Sequence, residues 1–242
     1  MHNDISGSTV WITGAGSGIG AAMARAFAAA GATVALTARS DGPLQQIADE
    51  LVADGCRVLV APGDVLSRTG LVAIAERIVA ETGRLDILCN NAGMNIPQRR
   101  WADLDWGAWD QVLDVNIKGA LNAIAAVLPQ MRRQGAGIVI NTSSWAGRFH
   151  SPTAGVAYGA SKHALTDISA SINSEEGAHG IRSTALCPAE VATPLLARRP
   201  GFEHATMGAM IQPEDMAEAA LFVARMNPGV AVHEITLAPI HR

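Results

Sequence analysis

The chain has 242 residues, of which 49% are hydrophobic and 17% charged, with a formal net charge of −4. That balance excludes a disordered or coiled polymer, and its length suits one α/β domain spanning 1–242. No cluster of Lys and Arg is present to displace counterions from a polyanion, so nucleic acid is not an expected partner.

Short aliphatic or β-branched runs alternate with longer Ala-rich helical patterns from end to end. The runs at 9–13, 33–37, 57–61, 85–89, 138–142, 182–186 and 233–237 read as strands. They are continuously apolar, as strands covered on both faces must be, which predicts an α/β doubly wound sheet of about seven parallel strands. Helices are expected at 18–30, 44–54, 68–82, 106–134, 158–179 and 213–225. Gly31, Gly55, Gly83 and Gly135 fall just past four of them, where a left-handed C-cap favours a residue without Cβ. The irregular segments 94–105, 146–155 and 190–212 all follow strands and so belong to the carboxyl edge of the sheet, where open α/β folds place ligands.

The first strand runs into Thr13-Gly14-Ala15-Gly16-Ser17-Gly18-Ile19-Gly20 and then a helix. Glycines in that context let the backbone turn tightly and approach a pyrophosphate, whose charge the helix N-terminus favours. The spacing T-G-x3-G-x-G, carried by Thr13, Gly14, Gly18 and Gly20, resembles the classical short-chain dehydrogenase/reductase family, and the resemblance extends over essentially the whole chain. It implies a Rossmann-type fold and an NAD(P)-dependent oxidoreductase.

The second strand ends at Ala38-Arg39-Ser40. A carboxylate at this point would bond the adenosine ribose and repel a 2′-phosphate, whereas Arg39 offers a planar donor fork, so NADP(H) is expected rather than NAD. Ser17 stands where many NADP-preferring relatives carry a second basic residue. By resemblance, Asp64 and Val65 flank the adenine; Asp64 also reads as an N-cap for the next helix. Asn90-Asn91-Ala92-Gly93 matches the family's N-N-A-G, with Asn91, Ala92 and Gly93 beside the cofactor ribose.

Asn116 lies inside a long predicted helix, where Asn is unfavourable, and matches the family asparagine that bends the helix and holds a water near the catalytic lysine. Ser143-Ser144-Trp145-Ala146-Gly147 ends the fifth strand. Its second serine, Ser144, matches the family's catalytic serine; Ser143 stays an alternative, because Tyr158 follows Ser144 by fourteen residues, one more than the family pattern. Tyr158 and Lys162 are one helical turn apart on one face. A phenol has an ordinary pKa near 10, and a neighbouring cation with a charged nicotinamide is expected to favour the phenolate, making Tyr158 the general acid/base. Pro188, Val191 and Thr193 follow the sixth strand and resemble the segment that fixes the nicotinamide carboxamide, with Ala189 in place of the usual glycine.

Substrate selectivity is expected in 95–100, 145–155 and 195–210, within a substrate loop over about 190–212. There Trp145, Phe149, His150, Phe202, Met207 and Met210 stand beside Arg148, Arg198 and Arg199, a mixture suited to a small alcohol or carbonyl compound bearing an acid group. His150 and His163 receive no role. Cys56, Cys89 and Cys187 are widely spaced, form no metal-ligand pattern and read as small buried residues. No leader pattern and no apolar stretch of about eighteen residues is evident, so a soluble cytoplasmic protein is expected. The helices over 106–134 and 158–179 form the subunit interface in relatives, which implies a homotetramer or homodimer. A non-catalytic NADP(H) sensor, or an isomerase or dehydratase on the same scaffold, is the competing class of reading.

Overall fold

A computed structural model describes residues 3–202 and 204–240, apart from the side chains of 204–206. The strands β1 (Thr9–Thr13), β2 (Thr33–Thr37), β3 (Val58–Val60), β4 (Ile87–Asn90), β5 (Gly137–Thr142), β6 (Ile181–Pro188) and β7 (Glu234–Leu237) form one parallel sheet in the order β3-β2-β1-β4-β5-β6-β7. Val10 of β1 pairs with Val34 on one side and Ile87 on the other. The chain therefore winds outward from β1 to β3 and then returns to lay β4 against β1. That reversal is the switch point at which a crevice opens beyond the carboxyl ends of the strands.

Helices α1 (Gly18–Ala29) and α2 (Asp41–Ala53) share one face of the sheet with the later α8 (Pro213–Ala224). The other face is covered by α3 (Arg68–Thr82), α5 (Ala120–Gln134) and α6 (Val156–Glu176). Both faces being covered, every residue of β1, β2 and β4 is buried, which is why those strands read as unbroken apolar runs. Trp11 inside this core is paired: its Nε1 donates to Thr37 Oγ1 at 2.8 Å, and Thr37 donates on to the Ala61 carbonyl at 2.9 Å.

The edges of the sheet depart from the sequence expectation. β3 is three residues, ending before Pro62, whose ring nitrogen has no hydrogen to continue a ladder. β6 runs on to Pro188 because β7 pairs with it through Pro188 and Leu237. The expected helix over 106–134 is divided into α4 (Trp106–Leu113), a π-helical segment at Asp114–Gly119 and α5. By length and composition this run would suffice to cross a bilayer, but its inner face packs on the sheet and on α3 and α6, as a core helix does. Gly31, Gly55, Gly83 and Gly135 all have positive φ, as the capping argument requires. Asp64 is not the N-cap of α3: Ser67 accepts from Gly70 N at 3.2 Å in that role, while Asp64 closes a local turn on Leu66 N. Cys89 and Cys187 are buried; Cys56 is only half-buried.

Candidate active site

The glycine-rich turn is locked to the segment after β4. Thr13 Oγ1 accepts from the backbone N–H groups of Asn91 and Ala92 at 3.0 and 3.1 Å, and Asn91 Nδ2 donates back to the carbonyls of Thr13 and Gly14. Gly14 has φ +66°, and a Cβ there would lie 2.9 Å from Ala92 Cα; a Cβ on Gly20 would lie 2.3 Å from the Gly14 oxygen. Side chains at these two positions would therefore spread the turn. Ser17 makes no side-chain cap, so the first N–H groups of α1 are left to face the cleft. Thr193 packs over Gly18, and together with Pro188 and Val191 lines the same cleft of about 580 Å³.

At one end of that cleft lie Gly16, Ser17, Ile19, Arg39, Asp64 and Val65. Ala38 is half-buried and Arg39 is exposed, so the end of β2 brings a guanidinium and no carboxylate to this wall. Val65 is buried and its carbonyl accepts from Asn122 Nδ2 at 3.0 Å, which fixes the segment after β3 against α5.

At the other end stand Ser144, Tyr158 and Lys162. Ser143 and Ser144 separate cleanly. Ser143 is buried, with its hydroxyl between Thr166 and the Lys162 carbonyl, whereas Ser144 lines the cleft with Tyr158 and accepts from Ala146 N. Lys162 is 3% exposed and its Nζ donates to the Thr142 carbonyl at 2.7 Å, 5.6 Å from the centre of the Tyr158 ring. Burial pushes the ammonium pKa down to about 8. Burial raises the Tyr158 pKa, while Ser144 and Arg99 act to lower it.

Asn116 lies in the π-helical segment, and its side chain accepts from Met94 N, donates to Met94 O and donates to Ser161 Oγ at 2.8, 3.0 and 3.0 Å. Ser161 in turn donates to the Tyr158 carbonyl. The asparagine braces the first turn of α6, and a Cβ on Gly93 would touch both its Oδ1 and Lys162 Nζ, so it sits directly across Gly93 from the lysine.

The chain matches the short chain dehydrogenase family over residues 8–203. It belongs to that family. An uncharacterized oxidoreductase of Staphylococcus saprophyticus is 34% identical over 231 residues, covering 95% of this chain and 96% of the relative. The glycine betaine reductase of Emericella nidulans is 35% identical over 241 residues; they are 97% of this chain but 19% of that protein, so the chain spans about a fifth of its length. Among solved structures, an alcohol dehydrogenase from the archaeon Thermococcus sibiricus complexed with 5-hydroxy-NADP superposes with TM-score 0.87 at 27% identity, covering 97% of both chains. A metagenomic short-chain oxidoreductase in complex with NADP superposes with TM-score 0.84 at 30% identity, covering 99% of this chain and all of the other.

The substrate side of this short-chain dehydrogenase differs from the sequence expectation. Arg148 is paired with Glu234 at 2.7 Å and does not line the cleft, whereas Arg198 and Arg199 do line it, Arg199 paired with Glu190 at 3.3 Å. Phe149 and His150 face a separate apolar hollow of about 620 Å³ with Trp101, Val156 and His163. Trp145, Leu195 and Leu196 do reach the cleft; Phe202, Met207 and Met210 do not line it, and Glu203 lies outside the described residues. Val191 makes an isolated bridge to Ile211, and Thr193 Oγ1 caps the short α7 (Pro194–Ala197) by accepting from Leu196 N. Ala189 is accommodated with its N–H on the Leu237 carbonyl at 2.8 Å. One residue that sequence reasoning gave no role is Arg99. It belongs to an irregular segment without periodicity, and its placement depends on a contact with Gly155, far along the chain.

Proposed function

We propose that this dehydrogenase transfers a hydride between NADP(H) and a secondary alcohol or carbonyl substrate, with Tyr158 as the proton-transfer group. The observation that carries the reading is the convergence of Ser144, Tyr158 and Lys162 on one cleft, with Lys162 Nζ 5.6 Å from the centre of the Tyr158 ring. The glycine cradle and the uncapped start of α1 fit the pyrophosphate of a dinucleotide; Arg39 fits the 2′-phosphate, and Asp64, Val65, Asn91, Ala92, Gly93, Pro188, Val191 and Thr193 fit the remainder. When bound, the nicotinamide supplies or accepts the hydride.

In reduction, the Ser144 hydroxyl donates to the carbonyl oxygen and the protonated Tyr158 phenol releases its proton to that oxygen. In oxidation the phenolate oxygen takes the alcohol proton, and the buried ammonium of Lys162 offsets the negative charge. Asn116 holds Tyr158 in place, and a water relay past Lys162 connects the pair with solvent. The enzyme works as a cytoplasmic homo-oligomer in this reading.

A panel of ketones, aldehydes and alcohols assayed with NADPH and NADP tests the proposal. Tyr158→Phe is expected to lower kcat by about 100- to 10,000-fold while nucleotide binding persists; full activity in that variant would overturn the mechanism. The 2′-phosphate assignment is tested separately by Arg39→Ala, which is expected to lower kcat/KM for NADP by about 10- to 100-fold with little change for NAD. A preference for NAD untouched by that substitution would overturn it.

A further inference from the structure

Arg99 is a half-buried guanidinium in the wall of the cleft. Its Nε–H donates to the Ile96 carbonyl at 2.6 Å and one Nη1–H to the Thr153 carbonyl at 2.8 Å. Two of its five donors are thereby fixed, and among the described residues the outer edge of the fork makes no further hydrogen bond. The backbone around it is tightly held: Asn95 Nδ2 donates to the Ala154 carbonyl, and Val156 N donates to the Arg99 carbonyl at 3.2 Å, two residues ahead of Tyr158. Gly155, at φ +88°, allows this approach, since a Cβ there would fall 2.6 Å from Arg99 Cβ.

No carboxylate among the described residues pairs with Arg99. Of the acids lining the cleft, Asp64 lies at the adenosine end and Glu190 is taken by Arg199. Burial lowers the Arg99 pKa, Arg199 repels its charge, and an ionised Tyr158 would attract it. A desolvated cation held rigidly without a counter-charge is costly in a folded protein, and it becomes favourable when a ligand brings the anion. A carboxylate can accept two parallel bonds from the free edge of a guanidinium.

Resting on the reading of this cleft as an alcohol/carbonyl site, we propose that Arg99 binds a carboxylate on the substrate, so that oxo acids and hydroxy acids are the substrate class. The acid group sits against Arg99 while the carbonyl carbon faces the nicotinamide end and its oxygen meets Ser144 and Tyr158.

The test uses pyruvate, acetoacetate and levulinate, each beside its methyl ester, with NADPH. For at least one chain length the acid is expected to exceed its ester in kcat/KM by about 10- to 100-fold, and Arg99→Gln is expected to bring that ratio close to one. Arg99→Lys, which keeps the charge and loses the fork, is expected to restore part of it. Equal turnover of acids and esters by the unaltered enzyme overturns the proposal, as does an Arg99→Gln variant that loses both alike with the ratio preserved. Calorimetric titration of the same acids into the NADP-saturated protein separates this claim from the broader one. Acids that bind through Arg99 but are never reduced would support the anion site and sink the hydride-transfer reading. Esters that are reduced while acids neither bind nor react would do the reverse.

Discussion

At the scale of single residues, Lys162 shows how the site sets function against stability. Its folded pKa of about 8 lies below the ordinary lysine value near 10.4, so between those values the unfolded chain binds more protons than the folded one. Stability contributed by this residue therefore rises with pH across that window and is lost as pH falls through about 8. The difference corresponds to a penalty on the order of 3 kcal/mol at neutral pH. Urea unfolding of the nucleotide-free protein at pH 7.0 and 9.5 is expected to show Lys162→Met more stable than the parent at the lower pH, with the gap closing at the higher one. Parallel pH profiles for the two proteins would contradict the assignment. The sequence made this lysine legible because a four-residue helical spacing alone puts it beneath Tyr158. It did not reveal how deeply both side chains are buried, since burial depends on α6 being pressed against β5 and β6. Choosing between Ser143 and Ser144 likewise needed the partners Thr166 and Tyr158, which come from α6 rather than from the strand.

At the scale of elements, the sheet and its flanking helices were legible because central strands and helix faces have clear periodicities. The π-helical segment was not, because its cause lies across the structure. The Asn116 side chain makes three bonds, to Met94 N, Met94 O and Ser161 Oγ, and these hold the segment against the loop after β4 and the first turn of α6. Asn116→Leu would leave those groups without their partner in a site where Asn116 itself is 1% exposed. Each orphaned buried group costs about 1–3 kcal/mol. A fall in Tm of several degrees is expected, together with a loss in kcat larger than the change in KM for NADP, because the brace reaches Tyr158 and not the phosphate cradle. An unchanged kcat would detach Asn116 from the catalytic turn.

At the scale of the whole molecule, exposed apolar side chains are spread over several elements, Val52, Leu66 and Val72 on or beside α2 and α3 among them, and two sets include large aromatic residues. Trp101, Trp106, Leu121 and Phe149 belong to α4, α5 and the loops beside α6, while Phe222, Val230 and Ile240 lie on α8 and near the edge strand β7. Trp101 and Phe149 flank the hollow of about 620 Å³ against the outer side of α6. Residues of this size left in water are characteristic of surfaces that are covered in an assembly. Two separate self-complementary contacts, each made around its own twofold axis, would build a tetramer, whereas one alone would stop at a dimer. Light scattering of the purified protein is expected to give the mass of four chains. Leu121→Glu, on the helical surface, is expected to reduce that to two by disabling one contact while leaving the other intact, and Phe222→Glu to do the same from the other side. A monomeric mass for the unaltered protein, or a tetramer indifferent to both charges, would show that these faces meet solvent rather than further copies of the chain.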